Sequence, residues 1–216
     1  MKKLQVVLAA VFVLGLTTSV AAQSFIGLRA AANLSNVKLS EIENGSEMIE
    51  PESRLGFGAG LAAEIGISDA FSVQPELLYT QHGYRFEEVF LGEMIEGKIR
   101  YSYFQLPLLG KLSFGSETMK VNVLAGPHFG YGVGDISYEV KTDEFEEKDS
   151  FAWKDSDSNR LDYGLTGGIG VSFGMVSLDV RYQLGLANMI EDPIDDEKTS
   201  NRNFQVGLTY FIPLSR

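Results

Sequence analysis

Eight stretches of this chain alternate between apolar residues and small or polar ones, and the apolar set in each stretch carries no Asp, Glu, Lys or Arg. Alternation at period two marks a β-strand with different surroundings on its two sides. The clearest case is the last stretch, where Phe204, Val206, Leu208, Tyr210 and Ile212 oppose Asn203, Gln205, Gly207 and Thr209. A strand at a chain end leaves an unpaired edge unless another strand closes on it. The pattern therefore predicts an all-β chain folded as an eight-stranded antiparallel up-and-down barrel.

The other predicted strands span 25–33, 55–67, 71–84, 99–114, 119–133, 161–173 and 176–186. Between them, short turns at 68–70, 115–118 and 174–175 alternate with long connections at 36–53, 85–98, 134–160 and 187–202. Pro75 interrupts the third strand, and the alternation continues on both sides of it. Long structureless loops are foreign to compact soluble domains. They are ordinary on the outer side of a membrane barrel whose termini share the short-turn side.

The second face carries Arg29, Glu64, Glu76, Lys111, Lys120, Asp162, Asp179 and Arg181. A soluble barrel would turn these charges outward; a transmembrane barrel turns them inward. Inversion is favoured by glycines on the charged face (Gly56, Gly58, Gly60, Gly126, Gly164, Gly168 and Gly170), which suit a narrow interior. Aromatic residues support it too. Phe71, Phe114, Phe173 and Tyr210 fall near the short turns, and Phe57, Tyr79, Phe104, Phe129, Tyr163 and Phe204 fall toward the long loops. Phe71 to Tyr79 spans roughly 20 Å of height in a tilted strand, close to the expected separation of two aromatic girdles. Eight strands leave room only for side chains. The eight interior charges are thus expected to form a structural ion-pair network in a plugged, non-conducting lumen, since buried charges must pair.

The N-terminus reads as a secretory signal peptide over residues 1–22. Lys2 and Lys3 precede an apolar run from Leu4 to Leu16, and Val20-Ala21-Ala22 suits cleavage before Gln23. The mature barrel domain is then 23–216. Removing the two lysines takes the formal charge from −11 to −13, which disfavours nucleic acid as a partner. The chain has no Cys, which excludes disulfides and thiolate metal sites. No cofactor or metal is expected.

The C-terminal strand resembles the β-signal by which outer-membrane barrels are recognised for insertion, with Gln205, Gly207, Tyr210 and Ile212 at the signal positions. Ile212 stands where an aromatic often ends such signals, and Pro213 to Arg216 run on beyond it. Four further segments, Val73-Gln74-Pro75-Glu76-Leu77-Leu78-Tyr79, Tyr103 to Lys111, Ala125-Gly126-Pro127 and Asp179 to Gly185, resemble strand motifs of PorT-like, "porin family" outer-membrane β-barrel proteins of the Bacteroidota. The resemblance covers essentially the mature chain. It implies location in the cell outer membrane, contact with outer-membrane lipid and lipopolysaccharide, and insertion by the barrel-assembly machinery. It implies no particular activity.

Candidate chemistry is sparse. His82 and His128 are the only histidines, and neither stands in a His-x-Ser pairing of the kind lipid-modifying barrel enzymes use; interior packing is the better reading. Asp155-Ser156-Asp157-Ser158-Asn159 begins like a calcium loop, then places Arg160 where Gly is needed and Thr166 where a bidentate Glu belongs. Gly168 to Gly174 suggests a phosphate loop only superficially, because no helix pattern follows. Glu144, Glu146, Glu147 and Asp149, with Asp192, Asp195, Asp196 and Glu197, would make acidic extracellular loops, and Phe151 and Trp153 point to a contact surface or to packing of the loop onto itself. The expectation is a monomeric, non-enzymatic barrel with a structural or surface-interaction role and an unidentified extracellular partner. A small-solute porin and a lipid-modifying enzyme are the alternatives.

Overall fold

The computed structural model describes residues 24–39, 51–90, 93–116, 118–142, 145–156, 158–190 and 198–214; the expected signal peptide lies outside them. The strands are β1 (Ser24–Leu39), β2 (Glu52–Gly66), β3 (Phe71–Phe90), β4 (Glu93–Gly115), β5 (Met119–Lys141), β6 (Glu146–Ala152), β7 (Leu161–Phe173), β8 (Val176–Gly185) and β9 (Thr199–Pro213). They form one antiparallel sheet in the order β4-β3-β2-β1-β9-β8-β7-β5-β6, and pairing of β4 with β5 closes it. The closed ring has eight strands, with β6 hydrogen-bonded to β5 outside the ring. The last strand pairs with β8 on one edge and with β1 on the other, from Phe25↔Pro213 to Leu39↔Thr199. This leaves the ring no open edge in the membrane, as spanning a bilayer demands.

The wall is inside-out relative to a soluble protein. Leu28, Leu55, Phe57, Phe104, Leu165 and Ile169 are among the exposed residues of the outer face. Arg29, Glu76, Gln105, Asn122, Asp179 and Arg181 are buried inside. Aromatic residues mark the upper belt, where the Phe57 and Tyr79 rings lie 6.2 Å apart and the Tyr79 and Phe104 rings 5.9 Å. The short turns close where the sequence predicts them. At the β7–β8 turn, Gly174 takes a φ of 54°, which residues with a Cβ rarely adopt.

The predicted strand lengths need correction. β3 and β4 pair without a break up to Phe90↔Glu93, through most of the expected 85–98 loop. β1 and β9 run on to Leu39 and Thr199. The expected 134–160 loop is a β-hairpin in which β5 pairs with β6 from Asp135↔Ala152 to Lys141↔Glu146, followed by a 3-10 turn at Trp153–Asp155. Above the membrane water contacts both sides of a sheet, so backbone pairing persists after the one-sided hydrophobic pattern has ended.

These extensions build a four-stranded sheet, β3-β4-β5-β6, above the barrel. One face of it is apolar near the barrel, while Asp149 and Glu147 of β6 project from that face farther out. Tyr84, Ile99 and Phe151 pack on a buried cluster of Tyr101, Tyr103, Ile136 and Trp153. The other face carries charges in cross-strand rows. Arg85, Lys98, Glu139 and Lys148 stand side by side, and Glu87, Glu96, Lys141 and Glu146 form the next row. From β4 to β6 neighbouring charges in each row are opposite and support one another, whereas between β3 and β4 Arg85 faces Lys98 and Glu87 faces Glu96.

Candidate functional site: a filled lumen under an extracellular sheet

The middle of the lumen is crossed by two arginines and two carboxylates. Arg29 donates to both oxygens of Asp179, at 2.7 and 2.8 Å. Arg181 donates to Glu76 at 2.9 Å and to Asp179 at 3.2 Å. Its Nε also lies 2.7 Å from Asp179 Oδ1, an ionic contact without hydrogen-bond alignment. Arg29 Nε is 3.6 Å from Glu76, whose other oxygen accepts from Gln74 at 2.6 Å. All four charged residues are at most 3% exposed. Glycines make the room: the Arg29 guanidinium lies against Gly207, where a Cβ would collide with it, and a Cβ on Gly168 would come within 2.8 Å of the Arg181 stem. Two positive and two negative charges leave this layer neutral, and their mutual pairing offsets burial.

A second, separate pair sits toward the short turns. Lys111 meets Glu64 at 2.7 Å, and Ser72 donates to the same carboxylate at 3.0 Å. The Lys111 ammonium lies 5.4 Å from the Phe211 ring centroid, a cation–π contact. The expected single network of eight charges is therefore divided. Lys120 joins neither group and has no ion pair among the described residues. Asp162 stands apart from every lysine and arginine of the set. Its carboxylate lies 3.8 Å from His128 Nε2, while His128 Nδ1 sits 3.0 Å from Thr166 Oγ1. These three side chains point into the lumen, away from lipid, and all are at most 3% exposed. Sequence spacing gave no hint of this grouping, because it depends on the register of β5 against β7, where His128 faces Gly164.

Above the arginine layer comes a layer of amides. Gln183 Oε1 accepts from Asn203 at 3.0 Å and from Gln205 at 3.5 Å, and Gln183 donates to Gln105 at 3.5 Å. Higher still, Tyr101 donates to Asn201 at 2.7 Å, and His82 packs edge-on against Tyr103 with ring centroids 5.5 Å apart. Trp153 closes the top. It is 2% exposed, stacks near Tyr101 and Tyr103 at 6.1 and 5.6 Å, and lies over Gly132, where a Cβ would meet the indole at 2.6 Å. Of the two readings of Trp153, a contact surface or packing of the segment onto itself, the structure has the packing, with the indole as the lid of the lumen.

The acidic candidates fall in two places. Glu146, Glu147 and Asp149 lie on β6, exposed to solvent, and belong to a strand where a loop was expected. Lys148 holds Glu146 at 2.5 Å, and this hydrogen bond lowers the Glu146 pKa and raises that of Lys148. Glu144, Asp192, Asp195, Asp196 and Glu197 are outside the described residues. In the calcium-like segment, Ser156 donates to the Trp153 carbonyl at 2.8 Å and Asn159 accepts from the Leu161 amide at 2.9 Å, so both side chains serve the turn. Of the insertion-signal residues, Gln205 is buried in the lumen, Gly207 underlies Arg29, and Tyr210 and Ile212 face lipid.

A family model described as "Outer membrane protein beta-barrel domain" matches residues 21–191 of the chain. No curated protein matches it. Among solved structures, Ail, the attachment invasion locus protein of Yersinia pestis, is 18% identical; the alignment covers 89% of this chain and 100% of that one, with a TM-score of 0.38. The outer membrane protein OprG from Pseudomonas aeruginosa is 13% identical over 88% of this chain and 96% of its own, with a TM-score of 0.48. The outer membrane enzyme PagL is 11% identical over 86% and 99%, with a TM-score of 0.45.

Proposed function

The chain belongs to the outer membrane protein beta-barrel domain family and resides in the cell outer membrane, and on that premise we propose that it is a monomeric, non-conducting, non-enzymatic barrel presenting an extracellular β-sheet to a protein partner. The observation that carries this reading is the open edge of the upper sheet. β6 ends the strand order and has no second strand partner among the described residues. Its backbone is thus a template on which an extended segment adds by main-chain hydrogen bonds. The charged rows beside it supply selectivity for the segment's side chains.

The filled lumen supports the non-conducting part of the proposal, since the Arg29–Asp179–Arg181–Glu76 layer and the Trp153 lid stand in series along the axis. The lumen-facing position of His128, Thr166 and Asp162 supports a packing role over catalysis on lipid. The strand motifs quoted above support a PorT-like kinship within the family. Lipid, lipopolysaccharide and the barrel-assembly machinery are the partners expected of any such chain.

The test is a linear-peptide display library panned against the barrel in lipid nanodiscs. Binders should lose affinity on backbone N-methylation and on Lys148→Pro or Ser150→Pro in β6. Binders indifferent to both changes would remove the strand-addition reading. Stable nanosiemens openings of the unmodified protein in planar bilayers would remove the plugged one.

A further inference from the structure

The outer wall just above the aromatic belt holds a row unlike those around it. Gly83 of β3 pairs with Arg100 of β4, and Arg100 pairs with Ser137 of β5, which pairs with Ser150 of β6. On the other side of Gly83 lies Arg54 of β2, whose Cδ would be 3.1 Å from a Cβ at position 83. Gly83 is itself buried: the Arg54 stem runs over it, and a Cβ there would also collide with the Ile99 carbonyl. Arg54 reaches this face because a bulge between Ser53 and Gly58 changes the register of β2 against β3. Two arginines therefore flank one glycine, with serines beyond, close enough for their like charges to oppose each other.

In the next row up, three cations share two acids. Arg85 pairs with Glu52 at 3.3 Å, and Glu139 is held by Lys98 at 3.2 Å and Lys148 at 3.6 Å. The nearby acids thus have other cations as their ion-pair partners, although Glu139 also acts favourably on Arg54 from a distance. Arg54 and Arg100 take part in no ion pair among the described residues, and Arg54 Nη1 is shielded from solvent without a hydrogen-bond partner. Arg100 is exposed. It lies four positions along β4 from Phe104 in the belt, which puts it about 10 Å higher in a tilted strand. That is the level of lipid headgroups, which begin at the aromatic belt.

We propose that Arg54 and Arg100 form a binding site for the phosphate group of an outer-leaflet lipid, seated over Gly83 on the outer wall of the barrel. Two guanidinium forks match a phosphate monoester in charge and geometry, each offering parallel N–H donors. The long arginine stems lie on the wall and carry their heads to the headgroup layer. The acyl chains then extend down the Phe57, Tyr79 and Phe104 surface. The site is independent of the β6 edge, so either reading stands or fails without the other.

Native mass spectrometry of the detergent-solubilised full chain, mixed with bisphosphorylated lipid A, tests it. The unmodified protein should retain lipid A, and Arg54→Gln/Arg100→Gln should retain it roughly tenfold less. Arg54→Lys/Arg100→Lys should fall between, having charge without the fork. Arg85→Gln, in the neighbouring paired row, should bind as the unmodified protein does. Heat-modifiable electrophoretic mobility of each variant reports a folded barrel. Equal retention by the double Gln variant overturns the proposal, as does failure of the unmodified protein to retain lipid A. Equal retention of dephosphorylated lipid A overturns the phosphate assignment. Displacement by millimolar inorganic phosphate would make the site one for free phosphate and overturn the lipid assignment.

Discussion

Arg29 of β1 and Asp179 of β8 form a two-pronged ion pair over Gly207 of β9, although 150 positions separate them in sequence. Three strands are thereby tied through the barrel interior as well as around its wall. Asp179 is also a partner of Arg181, so its removal leaves Glu76 as the one carboxylate of the layer facing two buried cations. Asp179→Ala should lower stability by about 3–5 kcal/mol, measured as urea unfolding in lipid vesicles. A loss below ~1 kcal/mol, the range of solvated surface pairs, would show that the layer is hydrated and only loosely held.

Gly207 has two candidate roles that one substitution separates. It is a position of the insertion-signal resemblance, and it is the floor on which the Arg29 guanidinium rests. Gly207→Ala places a methyl group where that guanidinium lies and should displace Arg29 from Asp179, costing on the order of 2–3 kcal/mol. In an Arg29→Met background the same change should cost much less, because coupled neighbours are not additive. Refolding of purified protein into vesicles reads this structural effect. A defect seen only in cells, with vesicle stability unchanged, would assign Gly207 to recognition during insertion instead.

Trp153 is the chain's single tryptophan, and it caps the lumen from the hairpin side. Its emission should be blue-shifted in the folded state and should move red when the extracellular sheet opens. Trp153→Ala should cost roughly 3–5 kcal/mol, as for other buried aromatic truncations. Yet it should not create a pore, because the arginine–carboxylate layer below still crosses the lumen. Planar-bilayer recording of the variant checks this; nanosiemens openings on loss of the lid alone would make Trp153 the gate of a channel.

The membrane-crossing part of this fold is legible because lipid and lumen make opposite demands on alternate residues. β7 is read to the residue, 161–173, and the three short turns fall where expected. The upper sheet is hidden for the converse reason. In β6 both neighbours of Lys148 are acidic, and water accepts charge on either side of a strand. A signal was nonetheless present in the expected loop, where Ile136, Tyr138 and Val140 alternate with Ser137, Glu139 and Lys141. The grouping of His128 with Thr166 and Asp162, and the folding-in of Trp153, depend on cross-strand register and on a hairpin bending back, neither of which leaves a period in the sequence. The expected charge-free face has one exception: Arg100, in the 99–114 stretch, shares the parity of Phe104 and Leu106, and only its height above the belt makes a charge acceptable there.

Leu108 and Leu109 are neighbours with opposite surroundings, which gives a direct check on the inside-out wall. Leu108 faces lipid at 41% exposed, and Leu109 is fully buried in the lumen. Truncating either forfeits some transfer energy, but lipid chains refill the space at 108 while a packed lumen cannot collapse at 109. Leu109→Ala should therefore cost about 2–5 kcal/mol, including its cavity, and more than Leu108→Ala. Leu108 lies near the middle of the band between Phe104 and Phe114, so Leu108→Arg should cost ~2–4 kcal/mol, the penalty of a midplane cation on the lipid face. Urea unfolding in vesicles ranks the three variants. If Leu109→Ala were milder than Leu108→Ala and Leu108→Arg were tolerated, the face taken here to meet lipid would instead meet water.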